Sequence, residues 1–138
     1  MKSSPRRLAR ELVLQALYAC EHGEDGPETA FKKLIADEHL SERNLDYARA
    51  LLRLVQENRE WADEQIRVLA ENWALERIAA IDRTILRMGL TELEKMPDIP
   101  VKVALNESIE LAKKFSTGES SKFINGILDN YVSRMENS

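Results

Sequence analysis

Cysteine is nearly absent from this chain of 138 residues: Cys20 stands alone, so an internal disulfide is excluded. Two histidines, His22 and His39, are too few for a Cys/His zinc site. Glycine (5), proline (4) and aromatic residues (6%) are sparse, which argues against a sandwich, a barrel or a disordered chain. No apolar run approaches the roughly 18 residues that a membrane span needs. The N-terminus lacks the apolar stretch of a secretory signal. A cytoplasmic protein without membrane contact is expected. Also missing are a phosphate-binding loop, a dinucleotide fingerprint and a serine nucleophile elbow. The carboxylates Glu57, Glu60 and Glu64 have Arg53, Arg59 and Arg67 among their helical neighbours, the pattern of a solvated face rather than an acid–base pair. No catalytic residue, cofactor or metal is expected.

What is present is helix. The length suits one compact domain over residues 1–138, large enough to bury a core unaided. Ser4-Pro5 joins a good N-cap to a residue suited to the first helical position. Leu8, Ala9, Leu12, Val13, Ala16, Leu17 and Cys20 follow as one face, and Gly23 stops the run. Gly26-Pro27 opens a short helix burying Ala30, Phe31, Leu34 and Ile35, and Ser41 caps a third carrying Leu45, Ala48, Leu51, Leu52 and Val55. The phase shifts at Asn58-Arg59 into a fourth helix, which breaks at Asn72 and Trp73. A fifth runs from Arg77 to about Lys95, before two prolines, Pro97 and Pro100, forbid helix. Val101, Ala104, Leu105, Ser108, Ile109, Ala112 and Phe115 form the cleanest amphipathic pattern. Ser120 is expected to cap the last helix, with Ile124, Ile127, Leu128 and Tyr131 inward. The expectation is an all-α single-domain bundle of about seven helices.

The net charge of −4 hides an asymmetry. A basic arm over about residues 1–10 holds Lys2, Arg6, Arg7 and Arg10 and no acid, which leaves 16 basic against 24 acidic residues elsewhere. Arginines at a helix N-terminus oppose the helix dipole, whereas a phosphate backbone would accept both the side chains and the free N–H groups there. A helical wheel places Arg7, Arg10, Leu14, Gln15 and Tyr18 opposite the apolar stripe, with Tyr18 able to stack a base and Gln15 to bond a base edge. The bland alternative is a solubilising terminus with Tyr18 packed on a neighbour. Later in the chain Lys122 and Phe123 open the last helix, with Phe123 at the edge of its apolar face. That pair reads either as an ordinary core phenylalanine or as a platform for single-stranded RNA.

The opening Arg6-Arg7-Leu8-Ala9-Arg10-Glu11, followed by Gln15-Ala16-Leu17-Tyr18, resembles the start of the NusB family of bacterial transcription antitermination factors. Ile81-Asp82-Arg83-Thr84-Ile85-Leu86-Arg87 resembles its central helix. Asp98-Ile99-Pro100-Val101-Lys102-Val103-Ala104-Leu105-Asn106-Glu107 and Lys122-Phe123-Ile124-Asn125-Gly126-Ile127-Leu128-Asp129 match it most strongly. The resemblance implies an all-α fold in two sub-bundles. It implies binding of the single-stranded boxA element of nascent rRNA with NusE, a small-subunit ribosomal protein, in company with other Nus factors and RNA polymerase. By the same resemblance, Lys2, Arg6, Arg7, Arg10, Gln15, Tyr18, Lys122 and Phe123 would face RNA, and Glu76 and Asp82 would face NusE. Asn125-Gly126 is expected to serve helix packing, and Gly89 to permit some close approach. The same helical domain is fused to RNA cytosine methyltransferases, but this chain leaves no room for a cofactor-binding α/β domain, so methyl transfer is not expected. The alternative from another class is a protein-interaction or self-associating module without its own RNA specificity. Its mark would be an exposed apolar seam including Leu14 and Tyr18, and a homodimer would cover the RNA surface.

Overall fold

The computed structural model describes residues 4–23 and 25–137. Among these are seven α-helices, one 3-10 turn and no strand: α1 (Pro5–His22), α2 (Pro27–Ile35), α3 (Glu42–Glu57), α4 (Arg59–Leu69), the turn Leu75–Arg77, α5 (Ala80–Lys95), α6 (Val101–Phe115) and α7 (Gly118–Glu136). They form two compact units, residues 1–56 and 57–138.

In the first unit α1 packs on α2, and its start is fixed as the sequence dictates. Ser4 Oγ accepts the Arg7 N–H at 3.3 Å and Pro5 fills the first turn. Ser41 Oγ does the same for Asn44 at 3.2 Å at the head of α3. The core holds Ala9, Leu12, Val13, Ala16, Phe31, Ala48, Leu51 and Leu52. Residues 9–14 of α1 are all buried, so this helix is covered on more than the one expected stripe.

In the second unit α5 is the central element, touching α4, α6 and α7. It starts later than the sequence pattern predicts: Arg77 belongs to the 3-10 turn, and Ile78 and Ala79 are extended before Ala80 begins the helix. Residues 84–93 of α5 are all buried, polar ones included. Thr84 and Thr91 donate to the carbonyls four residues back, at 2.8 and 2.7 Å, which satisfies hydroxyls that burial would otherwise penalise. Arg87 reaches Asp63 on α4 through Nε–Oδ1 at 2.7 Å and Nη2–Oδ2 at 3.2 Å.

Gly89 explains how closely these helices approach. A Cβ there would lie 2.8 Å from Ser108 Oγ on α6 and 2.9 Å from Leu128 Cδ1 on α7. Gly89→Ala is therefore expected to destabilise by up to about 2 kcal/mol, an overpacking cost of about 1–3 kcal/mol less the roughly 1 kcal/mol that Ala gains over Gly in a helix. Gly126 contradicts the packing role expected of it: a Cβ there meets nothing within 4 Å. Gly126→Ala should instead stabilise α7 by up to about 1 kcal/mol. Urea unfolding of the two variants checks both signs.

Two further expectations shift. The last helix is capped by Thr117, whose Oγ1 accepts the Ser120 N–H at 3.1 Å, and Ser120 lies inside the first turn. On α6 the expected face holds through Ala104, Ser108 and Ala112, but Val101 at its start is 40% exposed and Leu111 joins the buried side.

Tyr131 on α7 is buried beside Trp61, ring centroids 6.1 Å apart. Burial, then the negative charge of Glu94 and a hydrogen bond to its side chain, push the phenol up to about 12 from 10.0. A raised folded-state value means the neutral phenol is favoured by folding, so this contribution is whole below the unfolded value near 10 and is lost as pH rises towards about 12. Wild-type protein should lose more stability than Tyr131→Phe across that window, as denaturant titrations at stepped pH would read.

Candidate nucleic-acid interface

The first turn of α1 carries Arg6 and Arg7 and no acidic residue. Arg6 donates its Nε–H to Asn44 Oδ1 at 2.9 Å, and its guanidinium carbon sits 4.1 Å from the centre of the Tyr47 ring. Arg10 stacks on the same ring at 5.1 Å. Tyr47, buried on α3, therefore gathers two of the expected RNA ligands on one aromatic shelf. With Nε held by Asn44, Arg6 keeps its two-pronged end for a pair of oxygens such as those of a phosphate. Arg10 departs from the expectation: it is only 2% exposed, an interior group rather than a surface ligand. The helical wheel placed it outside because it assumed a single buried stripe.

Arg7 is half-buried, and Lys2 lies outside the described residues. Gln15 is also half-buried and lines a hollow of about 480 Å³ with Ala30, Leu34 and the Lys33–Asp25 ion pair, 2.7 Å long. Tyr18 is 38% exposed and meets His22 edge to face at 4.7 Å. Leu14, expected in an exposed apolar seam with Tyr18, is fully buried, so that seam does not exist as drawn.

In the second unit, Lys122 and Phe123 do sit at the head of α7, with Lys122 outward and Phe123 half-buried. Phe123 meets Trp73 edge to face, centroids 6.4 Å apart, and Trp73 is 54% exposed. Two hollows adjoin this pair. One, of about 330 Å³, is lined by Trp73, Phe123, Asp82 and Ser120. The other, of about 380 Å³, is lined by Trp73, Lys122, Phe123, Gly126 and Asn130. Asp82 is 6% exposed; its Oδ2 accepts the Ser120 hydroxyl at 2.7 Å, while its buried Oδ1 has no hydrogen-bond partner. Glu76 is exposed and shares a third hollow with Arg67 and Trp73. Trp73 thus borders all three hollows. In the sequence Trp73 marks only a helix break; a tryptophan outside any helical pattern, where no core face claims it, is the signal that points to it.

No helix among the described residues is long and apolar enough to cross a membrane. An all-α fold that presents aromatic and basic groups at its surface, from helices and from the segment at Trp73, defines an all-α recognition protein. A family model described as the NusB family matches residues 7–133, and the chain belongs to that family. It is 41% identical to the "Transcription antitermination protein NusB" of Symbiobacterium thermophilum, over 95% of this chain and 91% of the relative. A solved structure of T. maritima NusB superposes with a TM-score of 0.83 at 38% identity, covering 94% of this chain and 91% of that one. A structure of antitermination factors NusB and NusE in complex with dsRNA shares the fold, with a TM-score of 0.79 at 22% identity over 91% of this chain and 94% of that one.

Proposed function

We propose that the chain is a transcription antitermination factor that binds the boxA element of nascent rRNA together with NusE, in the cytoplasm, and acts by recognition without catalysis. The observation that carries this is the 41% identity, along nearly the whole of both chains, to a protein named for antitermination. The NusB–NusE complex with dsRNA, of the same fold, supports RNA and NusE as partners. On this reading residues 1–138 act as one RNA-binding domain.

The residues divide by chemistry. Arg6 and Arg7, with Lys2, neutralise phosphates and make the affinity fall with salt. Arg10 supports them from within, through the Tyr47 ring it shares with Arg6. Gln15, Tyr18 and Phe123 discriminate bases, and Lys122 holds backbone beside Phe123. Glu76 and Asp82 receive the basic partner NusE, Glu76 from the surface and Asp82 from a buried position. Other Nus factors and RNA polymerase then join through the assembled complex.

Reconstituted transcription tests the proposal. With polymerase, NusE and the remaining Nus factors present, adding this chain should raise readthrough of a terminator placed after boxA, and a scrambled boxA should abolish the gain. Equal readthrough from both templates would overturn it.

A further inference from the structure

Gly126 is an exposed glycine in the interior of α7, and nothing intrinsic to the fold requires it. No residue of the described structure has positive φ, so its backbone makes no demand that only glycine meets. No packing neighbour requires it either, since an added Cβ would stand in open space, in contrast to Gly89. What remains is the other use of glycine, to let something from outside come close to the backbone. The surroundings indicate what comes. Lys122, Gly126 and Asn130 recur every fourth residue and so form one stripe along α7. Beside that stripe Trp73 stands 54% exposed, steadied by the Phe123 ring against its own. The hollow between them, about 380 Å³, is also lined by Asn72.

Resting on the RNA-binding reading above, we infer that this hollow is a nucleotide subsite: one unpaired base of single-stranded RNA stacks on Trp73 while its sugar–phosphate passes over Gly126. The chemistry favours RNA over a protein segment. An exposed indole offers a sequence-tolerant stacking face, the two amides can bond a base edge, and Lys122 supplies the cation for phosphate. Lys122 lies 3.7 Å from Glu119, but both side chains are mostly exposed (79% and 89%), so this pair yields readily to a ligand. The subsite also continues the Lys122–Phe123 surface already read as RNA-facing, extending it towards Asn130 along α7.

Trp73→Ala, Trp73→Phe and Gly126→Gln, compared with wild type on a single-stranded boxA RNA without NusE, test the inference. Loss of one base stack should weaken binding by roughly 5- to 150-fold in Trp73→Ala. Trp73→Phe should recover most of it. The dependence on salt should stay unchanged, because no phosphate contact is removed. Gly126→Gln should fold at least as stably as wild type yet bind more weakly, because its side chain fills the hollow. RNA should also quench tryptophan emission in wild type and not in Trp73→Phe, whose remaining Trp61 lies beside Tyr131. Full-strength binding with no change in Trp73 emission would overturn the subsite and leave the RNA reading standing. Absence of RNA binding from the wild-type protein would overturn both. Variants that lose NusE and keep RNA would assign the hollow to a protein and overturn the subsite.

Discussion

Replacing Arg87 by alanine is expected to lower folding stability by about 3–5 kcal/mol, the largest effect of any single substitution discussed for this protein. Arg87 is 5% exposed and Asp63 9% exposed, and the guanidinium meets both carboxylate oxygens. Removing the cation strands a buried anion whose other basic neighbour, Arg59, lies 4.0 Å away and is half exposed. Against the roughly 5–15 kcal/mol that hold a typical domain, such a loss is a large fraction of the total. The pair's own worth is a different quantity, because two desolvated charges offset much of their attraction. Asp63→Leu with Arg87→Met should therefore recover most of the stability that Arg87→Ala loses. Urea unfolding of the three proteins reads the comparison. A small loss in Arg87→Ala would show that water or another side chain reaches the abandoned carboxylate.

Charge reversal at the head of α1 should be the largest functional effect. Arg6→Glu with Arg7→Glu removes two charge-assisted contacts to phosphate, each worth about 1.5–3 kcal/mol, so RNA affinity should fall by about 100-fold or more. The slope of log affinity against log salt should shrink by about 1.4, two contacts at about 0.7 each for a single strand. Acids suit a helix N-terminus where arginines oppose the dipole, but Arg6→Glu also gives up the Asn44 hydrogen bond and the Tyr47 stack, so urea unfolding of the double variant accompanies the titration to show that it is folded. NusE binding should survive, since Glu76 and Asp82 are untouched. Binding of RNA and NusE lost to the same degree would remove Arg6 and Arg7 from the RNA site. Tyr47→Leu offers a milder version: it takes away the shelf under Arg6 and Arg10 while leaving every positive charge in place.

Helix boundaries are legible in the sequence wherever one residue decides the outcome. Ser4, Pro5 and Ser41 start helices, the phase shift at Asn58 divides α3 from α4, and Pro97 ends the helical run before α6, each through interactions within a few residues. Orientation was less legible. Val101, expected inward, is exposed, and Leu111, not named on the expected face, is buried, because α6 carries apolar residues on two adjoining faces and only its neighbours choose between them. Arg10 and Leu14 were misplaced for the opposite reason: α1 is covered around much of its girth, so a polar residue at a given wheel angle does not mark solvent. Arg87, Thr91 and Glu92 are polar side chains in the core of α5, and the Asp63 partner that makes Arg87 tolerable lies 24 residues away. Lys122 and Phe123 were legible as a pair, but Trp73, which completes their surroundings, lies in a non-helical segment where periodicity carries no information.

The central claim, that this chain recognises boxA RNA and does so more strongly with NusE, is met most directly by fluorescence anisotropy. A labelled single-stranded boxA RNA, a scrambled strand and a boxA duplex would be titrated with the protein, alone and with NusE, at low and physiological salt. The protein should prefer the single-stranded boxA sequence, bind it more tightly with NusE, and lose affinity as salt rises. Equal binding of boxA and scrambled RNA under every condition, from folded protein, would contradict it.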